Sequence, residues 1–154
     1  MKYILALIAL TFSLTAYADI LPNHDLTPGV ARDVDKQTLC TTSTKLVRNV
    51  PQAEKNAVYK EYGQNGDDRS ICKEGQEIDH LISLEIAGSN DIKNLWPQSF
   101  CGQWSAHVKD LYENFLHKQI CTGKMTIEQA QKEISTDWIK GYKSHHELPL
   151  PIGQ

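Results

Sequence analysis

The sequence contains no apolar stretch long enough to span a bilayer, no pair of cysteines at C-x2-C spacing, no run of clustered lysines and arginines, and no internal repeat or low-complexity tract. The first three absences each exclude something. A spanning helix takes ~20 consecutive apolar residues, and the apolar run from Ile4 to Leu14 is shorter than that. Without C-x2-C pairs, a structural zinc site built on the four cysteines is disfavoured. A formal net charge of −3 with no basic run argues against tight, nonspecific binding to nucleic acid, because most such proteins are basic.

What is present is ordinary globular material. In 154 residues, 40% hydrophobic and 23% charged, there is enough apolar surface for one domain with a modest core. The first residues stand apart. Lys2 precedes the apolar run, and Ala16-Tyr17-Ala18 has the small-x-small form of a signal-peptidase site, so residues 1–18 read as a signal peptide and 19–154 as the mature domain. The expected mature chain starts at Asp19 and carries 15 basic against 19 acidic residues, a balance of −4. Export to the periplasm or beyond places Cys40, Cys72, Cys101 and Cys121 where thiols pair. Three pairings are possible. Cys40 with Cys121 and Cys72 with Cys101 is preferred, because the second bridge ties the segment entering the central motif to the segment leaving it.

That motif runs from Glu77 to Trp96. Glu77 to Glu85 reads as a strand, Gly88-Ser89-Asn90-Asp91 as a polar turn and Ile92 to Trp96 as a second strand closed by Pro97. Asp79-His80 stands out within it. A carboxylate beside an imidazole offers a hard oxygen ligand for a cation and a base that titrates near neutrality, the two requirements of water-driven phosphodiester cleavage. Elsewhere the pattern predicts an extended arm from Asp19 to Thr44, a short strand over Leu46 to Val50 and a helix from Pro51 to Tyr62. A helix from Gln103 to Gln119 follows the motif, with Trp104, Val108, Leu111 and Phe115 as its apolar stripe and His107, Asp110 and Asn114 along one side. Thr126 and Gln129 form the capping box of a last helix, whose buried face is Ile127, Ala130, Ile134 and Trp138. From His145 the tail is expected to be extended.

The residues from Glu77 to Gln98, with Asp79-His80, the Gly88 to Asp91 turn and Asn94-Leu95-Trp96-Pro97-Gln98, resemble the HNH endonuclease motif, and more narrowly a group of small secreted HNH-type proteins. Lys109-Asp110, Glu113-Asn114, Leu116-His117, Cys121, Ala130-Gln131 and Leu26-Thr27-Pro28-Gly29 are similar to the same group. The resemblance implies an α+β fold with a ββα-metal (His-Me finger) core over about residues 77–120, joined by additional helices and stabilised by disulfides. It implies a divalent-metal endonuclease acting on DNA or RNA, with His80 as general base and Asn94 pinning the loop between the strands. Asp79 would be a metal ligand and His107 a second one, with Asp110 or Asn114 as alternatives. Mg²⁺ or Mn²⁺ suits such oxygen chemistry and Zn²⁺ is possible. Arg69, Lys93, Lys109, Lys118 and Lys124 are the cations that would meet phosphates, and Trp96 and Trp104 are candidates to stack on bases, with Trp104 favoured as core. A monomer without membrane attachment is expected after signal removal. The rival reading is a noncatalytic exported binding or envelope-associated module that keeps the hairpin as scaffold.

Overall fold

The computed structural model describes residues 21–70 and 72–151. The expected signal segment and Asp19 lie outside the described residues. The fold is α+β: helices α1 (Lys36–Thr41) and α2 (Gln52–Glu61), strands β1 (Gln76–His80) and β2 (Leu95–Ser99), then helices α3 (Ala106–Cys121) and α4 (Ile127–Ser144). Two disulfides cross-link it, Cys40–Cys121 and Cys72–Cys101, in agreement with the preferred pairing. They are the mark of an oxidising environment such as export provides. Among the described residues no helix is long and apolar enough to cross a membrane.

Strands β1 and β2 are antiparallel, with Ile78 opposite Pro97, Asp79 opposite Trp96 and His80 opposite Leu95. Both strands are shorter or later than the sequence pattern suggests. β1 stops at His80 because the chain then turns: the Ser83 hydroxyl accepts from the Glu85 amide and caps a 3-10 turn over Leu84–Ile86. Asp91 caps a second such turn over Ile92–Asn94 in the same way. Ile92 to Asn94 is therefore not strand, and Pro97 lies inside β2 rather than ending it. Among the described residues the sheet has two strands, both of them edges, so a proline without an N–H is tolerated there.

The connection from 81 to 94 is packed tightly. Ala87 is fully buried and held in the left-handed region at φ 66°, a conformation that costs on the order of 1 kcal/mol or more for a residue with a Cβ. Gly88 follows of necessity, since a Cβ there would lie 1.6 Å from the Ile82 carbonyl oxygen. Its own carbonyl accepts from Arg32 Nε at 2.8 Å, and Ala31 pairs with it across an isolated bridge. The N-terminal arm is thereby laid against the loop.

That arm is not wholly extended. Asp35 accepts from the Thr38 amide and starts α1, and Cys40 on α1 carries the bridge to the end of α3. Leu46 to Val50 is not a strand: Thr44–Leu46 is a 3-10 turn and Leu46 is 81% exposed, so no alternation of buried and exposed side chains exists to support one.

The main core gathers Tyr112, Leu116 and Ile120 of α3, Ala130, Ile134, Trp138 and Tyr142 of α4, Ile82, Ile86 and Ala87 of the connection, and Leu39 of α1. Each large apolar side chain buried here contributes roughly 1.5–3 kcal/mol. A smaller cluster, Val58 with Ile78 and Leu95, fastens α2 to one face of the hairpin. The α3 stripe differs from the expected one. Its buried positions are Ala106, Lys109, Tyr112, Glu113, Leu116 and Ile120, while Leu111 is 45% exposed. Two of those six residues are charged, and Trp104, Val108 and Phe115 of the expected stripe pack partly buried against the same core, so hydrophobic periodicity finds part of the buried face and misses its charged members. In α4 the capping box and the buried Ala130, Ile134 and Trp138 agree with the sequence reading, with a break in helical geometry at Asp137.

Candidate functional site

Adjacent strand residues face opposite sides of the hairpin. Ile78 joins the cluster under α2, and Asp79 turns the other way, toward α3. Its Oδ2 accepts from Lys109 Nζ at 2.6 Å. The same ammonium donates to the His80 carbonyl at 2.7 Å and to Glu113 Oε1. Lys109 has three N–H donors, and all three are used. The side chain is 1% exposed. Burial alone would depress its pKa, but the carboxylates of Asp79 and Glu113 outweigh that and raise it, so an ammonium sits locked beneath the end of β1. Glu113, buried and sharing that cation with Asp79, is displaced upward.

His80 is 2% exposed. Its Nε2 lies 3.1 Å from Asn90 Oδ1. The Asn90 amide is oriented by two backbone partners: Nδ2 donates to the Val47 carbonyl at 2.7 Å, and Oδ1 accepts from the Asn49 amide at 3.2 Å. An oxygen therefore faces the imidazole, Nε2 must carry the proton, and Nδ1 keeps the lone pair. Burial, more than the nearby cations, pushes the His80 pKa below its ordinary value, against the pull of Asp79. The neutral imidazole is thus the stable form near pH 7.

Asn94 is fully buried. Its Oδ1 accepts from the Ile82 amide at 2.9 Å and the Val30 amide at 3.3 Å, while Nδ2 donates to the carbonyls of Ile82 at 2.9 Å and Ser89 at 2.7 Å. One side chain closes both ends of the loop and ties it to the arm.

Glu77 and Asp79, two apart, share a face of β1. Burial, the Asp79 carboxylate and the Asp110 carboxylate together push the Glu77 pKa up to about 7. Asp110 is raised as well, by burial and then by Asp79. These three carboxylates from β1 and α3 repel one another, and Arg48 and Lys109 only partly offset the repulsion. Their oxygens are the donor type that Mg²⁺ or Mn²⁺ takes. The donor type suits a hard divalent cation, but the three carboxylates do not all bring an oxygen within 4.8 Å of one another, and one oxygen of Asp79 is already held by Lys109.

The remaining expected ligands stand further out. His107 is 64% exposed in its side chain, 3.9 Å from Glu74 and stacked on Phe100. Asn114 donates back to the Asp110 carbonyl of its own helix. The only three-donor group of metal-binding side chains among the described residues is Cys40, His117 and Cys121, and its sulfurs are bonded to each other, so they are not thiolate ligands. That group adjoins a cavity of about 300 Å³ lined by Arg32, Glu85 and His117 among others.

Two expectations are corrected. Lys109 is a buried structural cation and cannot meet a phosphate. Trp96 is fully buried and cannot stack on a base. Trp104 is partly buried against the core, edge-on to Trp138 and Tyr142. Sequence reasoning gave Asn90 only a place in the polar turn and Glu113 only a place in the family resemblance. The partners of Asn90 lie 10 to 43 residues away, and Glu113 is held by Lys109, which also bonds the distant Asp79. A polar groove of about 640 Å³ between α2 and β1, carrying Lys55, Asn56 and Lys60, opens beside Glu77.

Comparison of the chain with protein-family models, with curated proteins and with solved structures finds no match.

Proposed function

We propose that the protein is an exported, divalent-metal-dependent phosphodiesterase of nucleic acid, with the β1–β2 hairpin and α3 acting as a ββα-metal core of HNH type. The observation that carries this reading is the state of His80. Its ring is fixed by Asn90 through Nε2, its Nδ1 is left basic, and burial keeps it unprotonated next to Asp79 in the chain. General bases are most useful in that condition.

In this mechanism a water molecule gives a proton to His80 Nδ1 while its oxygen attacks phosphorus. The bond from phosphorus to the 3′ oxygen breaks, and the departing oxygen takes a proton from solvent, leaving a 5′-phosphate and a 3′-hydroxyl. Asp79, with His107 or Asp110, would hold the cation, whose positive charge stabilises negative charge on the phosphate and the leaving oxygen. Asn94 keeps the loop closed so that His80 and Asp79 hold their relative positions. Lys109 anchors both residues from below, through the Asp79 carboxylate and the His80 carbonyl.

The test is incubation of purified protein with plasmid, single-stranded DNA and RNA, with Mg²⁺, Mn²⁺ or Zn²⁺ and with chelator. Cleavage that needs the metal supports the reading. Absence of cleavage under every condition would leave the noncatalytic binding module as the better account.

A further inference from the structure

A phosphodiester brings negative charge to the site, and the structure must supply a cation able to meet it. Lys109 cannot, because its donors are spent and its side chain is enclosed. Arg48 is a cation not committed in this way. It is exposed, and among the described residues its guanidinium makes no hydrogen bond and no ion pair within 4 Å. Its peptide neighbours lie within reach of the amide that holds the His80 ring.

The backbone around Arg48 is held by the Thr44 carbonyl, which accepts from the Val47 and Arg48 amides at 3.2 and 2.9 Å, and by one side chain. Asn90 bonds the Val47 carbonyl on one side of Arg48 and the Asn49 amide on the other, at 2.7 and 3.2 Å. The same Asn90 Oδ1 accepts from His80 Nε2 at 3.1 Å. A single amide therefore couples the histidine ring to the peptide units that flank the arginine. The segment is neither helix nor strand; apart from the Thr44 bonds and Val50, which packs on the small cluster, Asn90 is its link to the hairpin loop.

We propose that Arg48 is a substrate-binding residue whose guanidinium takes oxygens of the phosphate attacked at His80, and that Asn90 is the positioning residue that sets Arg48 and His80 as one unit. The inference rests on the phosphodiesterase reading and deepens it. Guanidinium suits the task because its planar fork pairs two phosphate oxygens at once, which an ammonium cannot do.

The experiment measures binding of a fluorescent single-stranded oligonucleotide in chelator over a range of salt, and cleavage of the same oligonucleotide with metal. Arg48→Ala should weaken Kd by about 10- to 100-fold, the worth of a lost charge-assisted bond, and should flatten the salt dependence by about one phosphate contact. Arg48→Lys should restore the salt dependence but only part of the affinity. Lys45→Ala, an exposed cation nearby, should change neither. Asn90→Ala should weaken Kd and lower kcat together in protein that still melts cooperatively.

An active wild type whose Arg48→Ala variant binds and cleaves equally well overturns the role of Arg48. An Asn90→Ala variant that loses thermal stability but keeps Kd and kcat overturns the positioning role. If the wild type neither binds nor cleaves, the phosphodiesterase reading fails and takes the inference with it.

Discussion

Asn94 pairs with Ile82 as one strand pairs with another: its Oδ1 accepts from the Ile82 amide and its Nδ2 donates to the Ile82 carbonyl, each at 2.9 Å. The peptide bonds just past His80 are thus satisfied by a side chain 12 residues later, and a loop of irregular backbone is made rigid without a sheet. Asn94→Ala would strand two amides and two carbonyls in a buried place. Unsatisfied buried groups cost about 1–3 kcal/mol each, less whatever water recovers, so a loss of about 2–4 kcal/mol is expected. Urea denaturation measures it, and a loss below about 1 kcal/mol would show that the loop does not depend on this amide.

Lys109 neutralises Asp79 and Glu113 in a nearly solvent-free place. Lys109→Met should destabilise the protein by about 3–5 kcal/mol, because it leaves carboxylates buried without their cation. Adding Glu113→Gln should recover part of that loss, since one of the two orphaned charges is then removed. A double-mutant cycle by chemical denaturation checks the sign.

The two disulfides close loops with separations of 81 and 29 residues, for which loop-closure entropy gives about 4.5 and about 3.5 kcal/mol. Cys72–Cys101 encloses the whole hairpin, so replacing both of its cysteines with serine should impair metal binding and cleavage as well as stability. Replacing Cys40 and Cys121 should chiefly loosen α1 and the arm. Hydrogen exchange on the two variants separates these outcomes.

Glu77 sets a pH dependence whose sign follows from its raised pKa. The folded protein holds its proton up to about pH 7, whereas the unfolded chain releases it near 4.5. Between those values the folded state binds more protons, so its stabilising contribution is complete below about 4.5 and is lost as pH rises through 7. Glu77→Gln, which cannot ionise, should match the wild type at pH 4 and be the more stable of the two at pH 8. Thermal melts across that range decide it, and an equal difference at both ends would contradict the crowding of Glu77 by Asp79 and Asp110.

The parts of the fold legible in sequence were those where local signals and tertiary packing agree. The capping box at Thr126, the buried face of α4, the helix after Pro51 and the even cysteine count all have short-range or compositional signatures. The connection from Leu81 to Asn94 did not, because its β-branched residues read as strand while Ser83 and Asp91 divert the backbone into 3-10 turns. The sequence showed part of the buried face of α3, Val108 and Phe115, and the rest was hidden for a different reason. Lys109 and Glu113 are charged, and only their partner Asp79, 30 residues before Lys109, makes their burial tolerable. Asp79, His80 and Asn94 stood out as residue types in a pattern. The Asn90 link to His80 and the 47–49 segment depends on contacts 10 to 43 residues apart, which no local pattern encodes.

The most direct measurement of the central claim compares wild type with His80→Ala in metal-dependent cleavage of DNA and RNA, after confirming that both melt cooperatively. General-base catalysis contributes about 10²–10⁴-fold, so the variant should lose that much in kcat and still bind oligonucleotide in chelator. Cleavage by His80→Ala at the wild-type rate would contradict the assignment of His80 as the base on which this account rests.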